Sequence, residues 1–137
     1  MLVFVDTSAW IALFKEKDPH HATVRRAFEG LVRDGAGFIT SSDVLDETFT
    51  RLRYDVGHQY AVEFRSYVRA ALEQRLLALR WVTEDISRAA WVIFEKYSDQ
   101  ELSLTDCTSA IICREDKVSV VLTLDRDFEM LGFAVLP

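Results

Sequence analysis

Short apolar runs alternate with amphipathic segments along the whole chain, and this order limits the possible folds more than any other feature. Largely apolar runs of strand length occupy residues 2–5, 37–40, 76–82, 118–123 and 133–136. Between them, apolar residues recur at intervals of three and four, which is typical of helices that bury one face. Strands that alternate with helices pair in parallel, because each helix returns the chain to the same edge of the sheet. The sequence therefore predicts an α/β fold with a mainly parallel sheet.

The composition is that of one compact domain. The 137 residues are 50% hydrophobic and contain no internal repeat and no Pro-, Gly- or Ser-rich linker, so we expect a single domain over residues 1–137. A secretory signal needs basic residues ahead of an apolar run, whereas the first lysine is Lys15 and Asp6 divides the apolar opening. The other apolar runs are too short to cross a bilayer. We expect a cytoplasmic protein with no membrane partner.

Cysteine, histidine and net charge exclude several kinds of site. Cys107 and Cys113 lack the spacing of a zinc or redox motif and are expected to be buried thiols. The three histidines form no H-E-x-x-H arrangement, so oxygen atoms must hold any metal. The net charge of −6 is unlike that of proteins that coat nucleic acid, although residues 51–80 carry six arginines against three acids. Most of these arginines are expected on solvated helix faces, and one or two can bind phosphates.

Capping residues predict where two of the helices begin. Thr7 or Ser8 is expected to cap a first short helix. Ser42 is the predicted N-cap of a later helix, whose apolar stripe continues to residue 56. Glu47 lies on the polar side of that helix, where it can form an ordinary ion pair with Arg51 one turn further on.

Three carboxylates occupy positions that bring them to one edge of such a sheet. In an open parallel sheet, ligands bind beyond the carboxyl ends of the strands, at the point where the strand order reverses. Asp6 follows the first strand and Asp125 follows the fourth, so they are neighbours if those two strands adjoin. Asp106 lies at the start of the helix before the fourth strand, and that helix N-terminus can face the same crevice.

Each of these acids also has an ordinary structural use. Asp6 is a competent helix cap, although Thr7 and Ser8 offer two others. Asp106 has the S-x-x-D spacing of a capping box with Ser103, so capping and metal binding are equally open for it. Aspartate tolerates tight turns, which is an alternative for Asp125.

The acids taken together indicate a hard divalent cation. Crowded carboxylates raise each other's pKa values and resist folding, so a cluster in a crevice implies a cation that neutralises it. Oxygen ligands without usable histidine or cysteine select Mg²⁺ or Mn²⁺, and these ions suit phosphoryl chemistry. Rival α/β functions lack their motifs, because the sequence has neither the G-x-G-x-x-G turn of dinucleotide-binding folds nor a G-K-[ST] phosphate loop.

Four segments, in order, resemble the PIN domain family, and in compactness the chain is similar to the VapC-type ribonuclease toxins of prokaryotic toxin–antitoxin pairs. These segments are VDTSAW, SSDVLDETFTRL, LSLTDCTSAIICRE and VLTLDRDFEMLGF. The resemblance implies a three-layer α/β sandwich with a central, mainly parallel five-stranded sheet of Rossmann-like topology. It also implies that four acids form the metal-binding and catalytic set: Asp6, Glu47, Asp106 and Asp125.

The activity that the resemblance implies is that of a Mg²⁺- or Mn²⁺-dependent endoribonuclease, in which hydroxide attacks a backbone phosphorus of RNA. The family pattern prefers Glu47 to Asp46, either as a ligand or as the group that orients water. It prefers Asp125 to Asp127, which remains a candidate outer ligand. Hydroxyl groups for bound water or phosphate have three candidate sources: Thr7, Ser8 and Thr123.

The resemblance also implies partners. These are an RNA substrate, a cognate antitoxin laid in a hydrophobic groove with an arginine directed to the acids, and a second copy of the chain in a homodimer. Two other functions stay open, namely a PIN-type nuclease with a non-toxic RNA-processing role and a non-catalytic protein-binding module on the same fold. Growth arrest on expression distinguishes the first alternative from a toxin, and metal-dependent RNA cleavage distinguishes the second.

Overall fold

The computed structural model describes residues 1–137, the whole of the chain, as a parallel sheet flanked by helices. The strands β1 to β5 span Leu2–Val5, Gly37–Ser41, Leu77–Arg80, Val120–Leu122 and Val135–Leu136. The helices α1 to α7 span Thr7–Phe14, His21–Arg33, Ser42–Arg51, His58–Glu73, Glu84–Lys96, Leu104–Glu115 and Asp127–Met130. A π-helical turn, Leu52–Val56, joins α3 to α4. None of the helices is both long enough and apolar enough to span a bilayer.

The sheet places β1 and β4 side by side. All five strands run parallel in the order β3-β2-β1-β4-β5. The chain moves outward from β1 through β2 to β3 and then returns to β4 on the other side of β1, so the strand order reverses between β1 and β4. The predicted α/β class with a parallel sheet is confirmed, and the reversal fixes where a ligand crevice forms.

An aromatic group holds α1, α3 and α4 together beside β1. Phe64 is fully buried in α4, and its ring lies 5.4 Å from the ring of Trp10 and 5.1 Å from those of Phe14 and Phe49. Edge-to-face aromatic pairs of this kind contribute about 0.5–1.5 kcal/mol each beyond the burial of their area. These contacts belong to a core cluster of 24 buried residues, which also includes Cys113 as a free thiol. The start of α1 is therefore rigidly placed.

The boundaries of α3 differ from those predicted. Ser41, the last residue of β2, is the N-cap, because its Oγ accepts the N–H of Val44 at 3.1 Å. The Oγ of Ser42 instead accepts the N–H of Val82 at 2.9 Å and ties α3 to the segment after β3. The helix predicted to continue to residue 56 changes to π-helical hydrogen bonding after Arg51.

The region around β4 is also more irregular than predicted. The strand covers three residues of the six predicted, and the short helix α7 begins at Asp127, two residues after Asp125. The last strand begins at Val135, two residues later than predicted. These changes lengthen the polar connection that leaves the carboxyl end of β4, which is the connection that carries Asp125.

Candidate active site

The strands β1 and β4 end together at the carboxyl edge of the sheet. Val5 pairs with Leu122, and the N–H of Asp6 donates to the carbonyl oxygen of Leu122 at 3.1 Å. Asp6, the first residue after β1, therefore lies beside residues 123–125, which follow β4. The adjacency expected from the strand order is present at this edge.

Asp6 is a buried carboxylate with no cation beside it. It is 4% exposed and occupies the N-cap position of α1, but its side chain makes no capping hydrogen bond, so the capping alternative is wrong. Its Oδ2 accepts a hydrogen bond from Thr123 Oγ1 at 2.8 Å. Burial raises the pKa of Asp6 to about 7; the Thr123 hydroxyl opposes this rise, and the charges of Asp106 and Glu47 add to it. Ionisation of Asp6 is therefore unfavourable unless a cation binds beside it.

Asp106 caps its own helix and lies within electrostatic range of Asp6. The Oγ of Ser103 accepts the N–H of Asp106, and Oδ2 of Asp106 accepts the N–H of Ser103, each at 3.0 Å, which completes the predicted capping box. Burial raises the pKa of Asp106 to about 6; the Ser103 N–H opposes the rise, whereas the charges of Asp125 and Glu47 increase it. Because capping uses Oδ2, Oδ1 is left for a ligand.

Thr123 organises the turn that follows β4. Its Oγ1 accepts the N–H of Asp125 at 3.0 Å. The Oγ of Ser8 lies 3.1 Å from Thr123 Oγ1 and accepts the N–H of Leu124 at 2.9 Å. Thr123 already donates its one proton to the carboxylate after β1, so Ser8 is the donor in the Ser8–Thr123 pair. The hydroxyl groups of Ser8 and Thr123 thus form a hydrogen-bond network beside Asp6 and Asp125. Ser8 does not cap α1.

The turn holds two further carboxylates. Oδ1 of Asp125 accepts the N–H of Asp127 at 2.9 Å, a local turn that opens α7. Partial burial, together with the charge and hydrogen bond of Asp125, raises the pKa of Asp127. Asp125 is thus bonded at its backbone to Thr123 and at its side chain to the start of α7, so its carboxylate has little freedom to turn away.

Glu47 reaches the crevice from α3. Its negative charge adds to the rise in the pKa values of both Asp6 and Asp106, so Glu47 lies within electrostatic range of these two acids. The ion pair expected between Glu47 and Arg51 does not form, since neither residue belongs to any of the six ion pairs. Glu47 is therefore not neutralised within its own helix.

The four predicted acids interact with one another electrostatically but do not form a closed metal-binding cage. No three Asp, Glu, His or Cys side chains lie close enough together to enclose an ion. None of the four acids is paired with Lys or Arg. Mg²⁺ and Mn²⁺ prefer oxygen donors, and Mg²⁺ keeps several waters when only a few carboxylates bind it, so the donor set fits such an ion.

Two further polar side chains lie near the site: Thr108, which the sequence motifs did not single out, and Thr7, which is one of the candidate hydroxyl groups. Thr108 Oγ1 donates to Asp43 Oδ2 at 2.9 Å and joins α6 to α3. The only sequence signal for this contact is a polar residue inside a helix with apolar neighbours. Thr7 Oγ1, directly after Asp6, is buried without a hydrogen-bond partner. A buried hydroxyl without a partner is unfavourable, so Thr7 is a group that an incoming ligand or water can satisfy.

Comparison with known proteins agrees with this arrangement of strands and acids. Residues 3–134 match the PIN domain family. The 23S rRNA-specific endonuclease VapC20 of Mycobacterium tuberculosis is 32% identical over 133 residues, which cover 96% of this chain and 95% of VapC20. Ribonuclease VapC26 of the same species is 26% identical over 129 residues, which cover 90% of this chain and 87% of VapC26.

Solved structures give the same result. The crystal structure of Mycobacterium tuberculosis VapC20, described as a Sarcin-Ricin loop cleaving toxin, superposes with a TM-score of 0.83 and 32% identity over 98% of this chain and 99% of that one. VapBC2 of Rickettsia felis, solved with a DNA fragment from its promoter, has a TM-score of 0.72 over 98% of this chain and 97% of that one. Its identity is 10%, so it supports the fold alone. Since the family match spans nearly all of the sequence, the chain belongs to the PIN domain family.

Proposed function

We propose that this protein is a Mg²⁺- or Mn²⁺-dependent endoribonuclease that acts as the toxin of a toxin–antitoxin pair. The observation that carries the proposal is a group of carboxylates without cationic partners at the switch point of the sheet: Asp6, Glu47, Asp106 and Asp125. The 32% identity to an rRNA endonuclease supports RNA as the substrate class. Residues 1–137 act as one domain in this proposal, because β1 and β5 belong to the same sheet.

The position of each side chain suggests its role in the proposed reaction. Asp6, Asp106 and Asp125 would hold the ion, and Glu47 would either ligate it or orient the attacking water. When bound, Mg²⁺ or Mn²⁺ supplies the Lewis acid that favours phosphodiester hydrolysis at neutral pH. Asp6 and Asp106 are then ionised, because nearby positive charge favours the carboxylate form. The Thr123 hydroxyl holds the Asp6 carboxylate toward the turn that carries Asp125.

The first RNA to test is the sarcin–ricin loop of 23S rRNA. VapC20 is named as a 23S rRNA-specific endonuclease and as a toxin that cleaves this loop, and it matches this chain almost end to end. If the target is ribosomal RNA, the protein acts in the cytoplasm, in agreement with the cytoplasmic localisation expected from the sequence. The sequence contains no motif that selects a base, so specificity has to come from the surface around the acids.

The antitoxin has a candidate groove between α2 and α4. Two cavities of about 610 and 620 Å³ share Phe28 and Tyr67 and so form one continuous depression. One cavity continues past Leu13 of α1, and the other reaches Leu77 at the start of β3. VapC20, which is 32% identical to this chain, is described as a toxin, and this supports an antitoxin partner. The part of the depression that reaches Leu77 is lined mainly by hydrophobic residues, whereas the part that passes Leu13 also carries charged ones, and an amphipathic segment suits such a groove.

A homodimer is also part of the proposal, formed through the outer face of α5. Trp91, Val92 and Phe94 are 48%, 67% and 41% exposed, and the two aromatic rings lie 5.3 Å apart. Sedimentation velocity of wild type and Trp91→Ser tests this, with a dimer expected for the first and a monomer for the second. A monomeric wild type contradicts it.

The decisive experiment is cleavage of a sarcin–ricin hairpin RNA by purified protein. Wild type is expected to cut it with Mg²⁺ or Mn²⁺ and to stop when EDTA is added. Asp6→Asn should retain its circular dichroism spectrum and lose at least about 100-fold in rate, because the ion loses a charged ligand. Cleavage that persists in EDTA, or full activity in Asp6→Asn, contradicts the proposal. RNA cleavage without growth arrest on expression indicates a non-toxic nuclease, whereas Mn²⁺ binding without cleavage of any RNA indicates a non-catalytic module.

A further inference from the structure

A small depression adjoins the candidate site on the side of α3. It measures about 390 Å³ and lies between α3 and the first turn of α6. Glu47 and Arg51 line it from α3, and Thr105, which directly precedes Asp106, lines it from α6. Whatever occupies this depression is therefore next to two of the four proposed metal ligands.

Arg51 is the one basic residue in the lining of this depression. Four residues after Glu47 on the same helix, it lies about 6 Å further along the axis. It forms no ion pair, even with Glu47 one turn away. Five other arginines are engaged by carboxylates and so are less available to a substrate: Arg25, Arg69, Arg80, Arg88 and Arg126.

The surroundings of Arg51 favour one direct contact over a general positive field. The chain carries a net charge of −6, and Asp43 and Asp46 line the same depression. Long-range attraction for RNA is therefore weak here. A guanidinium can still bind a phosphate through two parallel hydrogen bonds, which depend on geometry as well as on charge. Asp43 already accepts a hydrogen bond from Thr108, so it competes less for Arg51.

We infer that Arg51 binds the RNA phosphate that neighbours the scissile one and so sets the register of the strand across the acids. The inference rests on the proposed function, because it assumes an RNA substrate at this site. Arg51 is then a substrate-binding residue whose loss weakens RNA binding and leaves the chemistry of the acids intact. Arg51 supplies a positive charge for a phosphate in the depression beside the acids.

Two measurements test this assignment on the full chain. The first is the dissociation constant of a fluorescently labelled sarcin–ricin hairpin RNA, read by anisotropy in an Asp6→Asn background that prevents cleavage. Arg51→Gln is expected to weaken binding about tenfold and to lower the slope of log Kd against log salt by about 1. The second is steady-state cleavage in the otherwise wild-type chain, where KM should rise about tenfold while kcat changes less than about threefold.

The matched control is Arg26→Gln, which makes the same charge change at an exposed residue of α2 that has no ion pair and lines none of these cavities. It is expected to behave as wild type. Arg51→Lys should restore the salt slope but only part of the affinity, because one ammonium cannot make the paired contact. Mn²⁺ affinity, measured by calorimetry, should be unchanged in Arg51→Gln.

The outcomes separate this inference from the proposed function. If wild type cleaves and binds the RNA but Arg51→Gln matches Arg26→Gln, the assignment of Arg51 is wrong and the ribonuclease proposal stands. If Arg51→Gln lowers kcat at unchanged KM, or loses Mn²⁺, Arg51 acts on the acids and not on a phosphate. If wild type neither binds nor cleaves RNA, both proposals fail together.

Discussion

Thr123 donates a hydrogen bond to the carboxylate of Asp6 across 2.8 Å, and the two residues are 117 positions apart in the chain. The same oxygen of Thr123 accepts the N–H of Asp125 at 3.0 Å. One hydroxyl thus connects the acid that follows β1 with the turn that follows β4. In a site without a closed ligand cage, such links decide whether the carboxylates face one another.

Replacing Thr123 by Val should loosen this connection without changing the volume of the side chain much. We expect the free energy of unfolding to fall by about 1–2 kcal/mol, because the partly buried N–H of Asp125 loses its acceptor. Mn²⁺ affinity should fall about 10- to 100-fold, as is usual when a partner that orients a metal ligand is lost. Urea denaturation and calorimetry measure the two effects. Thr123→Ser, which keeps the hydroxyl, is the control, and a Val variant that binds Mn²⁺ like wild type contradicts the expected role.

The buried charge of Asp6 predicts how the stability of the metal-free protein depends on pH. The folded state keeps a proton on Asp6 up to about pH 7, whereas the unfolded chain releases it near 3.8. Between these values the folded state binds more protons, so the free energy of unfolding falls as pH rises through this window. Asp106, whose pKa is raised to about 6, contributes with the same sign.

Asp6→Asn isolates this effect by urea denaturation. The variant should be more stable than metal-free wild type by a few kcal/mol at neutral pH, since a pKa unit corresponds to about 1.4 kcal/mol. Near pH 3, below both pKa values, the difference should almost disappear, because wild type is then largely protonated at Asp6 in both states. A variant that is less stable than wild type at neutral pH shows that the ionised carboxylate is well accommodated without a metal.

The order of elements could be predicted from the sequence because helices and strands have local periods. Short apolar runs and three-to-four spacing predicted the five strands and the parallel sheet, including the edge where Asp6 and Asp125 meet. Local patterns could not predict the exact ends. Ser41 and Ser42 are both good caps, and only the contact of Ser42 with Val82, 40 residues away, shows which serine caps α3.

The same limit applies to the candidate site. Acids that directly follow strands could be placed by topology alone, whereas Glu47 could not, because Asp43, Asp46 and Glu47 all lie on one polar helix. The resemblance to a family selected Glu47, and the pKa effects of its charge on Asp6 and Asp106 agree with that selection. The contact between Thr108 and Asp43 joins two helices 65 residues apart, and no local pattern encodes it.

Mn²⁺ should stabilise wild type and leave Asp6→Asn almost unaffected. A ligand that binds only the folded state adds about 2.7 kcal/mol to the free energy of unfolding when its concentration is 100 times its Kd. The gain should be larger at neutral pH than near pH 5, because protons compete for Asp6 and Asp106 as the pH falls. Thermal denaturation with Mn²⁺ and with EDTA gives the comparison. Equal stabilisation of both proteins places the ion somewhere other than at Asp6.

Two substitutions distinguish the capping role of Asp106 from its proposed catalytic role. Asp106→Asn keeps a carbonyl oxygen that can accept the N–H of Ser103, so the free energy of unfolding should not fall. The rate of RNA cleavage should nevertheless drop at least about 100-fold, because the ion loses a charged ligand. Ser103→Ala should do the opposite, lowering stability by about 1 kcal/mol through loss of the cap while most cleavage is retained. Urea denaturation and the hairpin assay on the two variants measure both quantities. Because Ser103 Oγ and Asp106 Oδ2 satisfy each other's backbone N–H groups, full cleavage by Asp106→Asn means that this acid only caps α6.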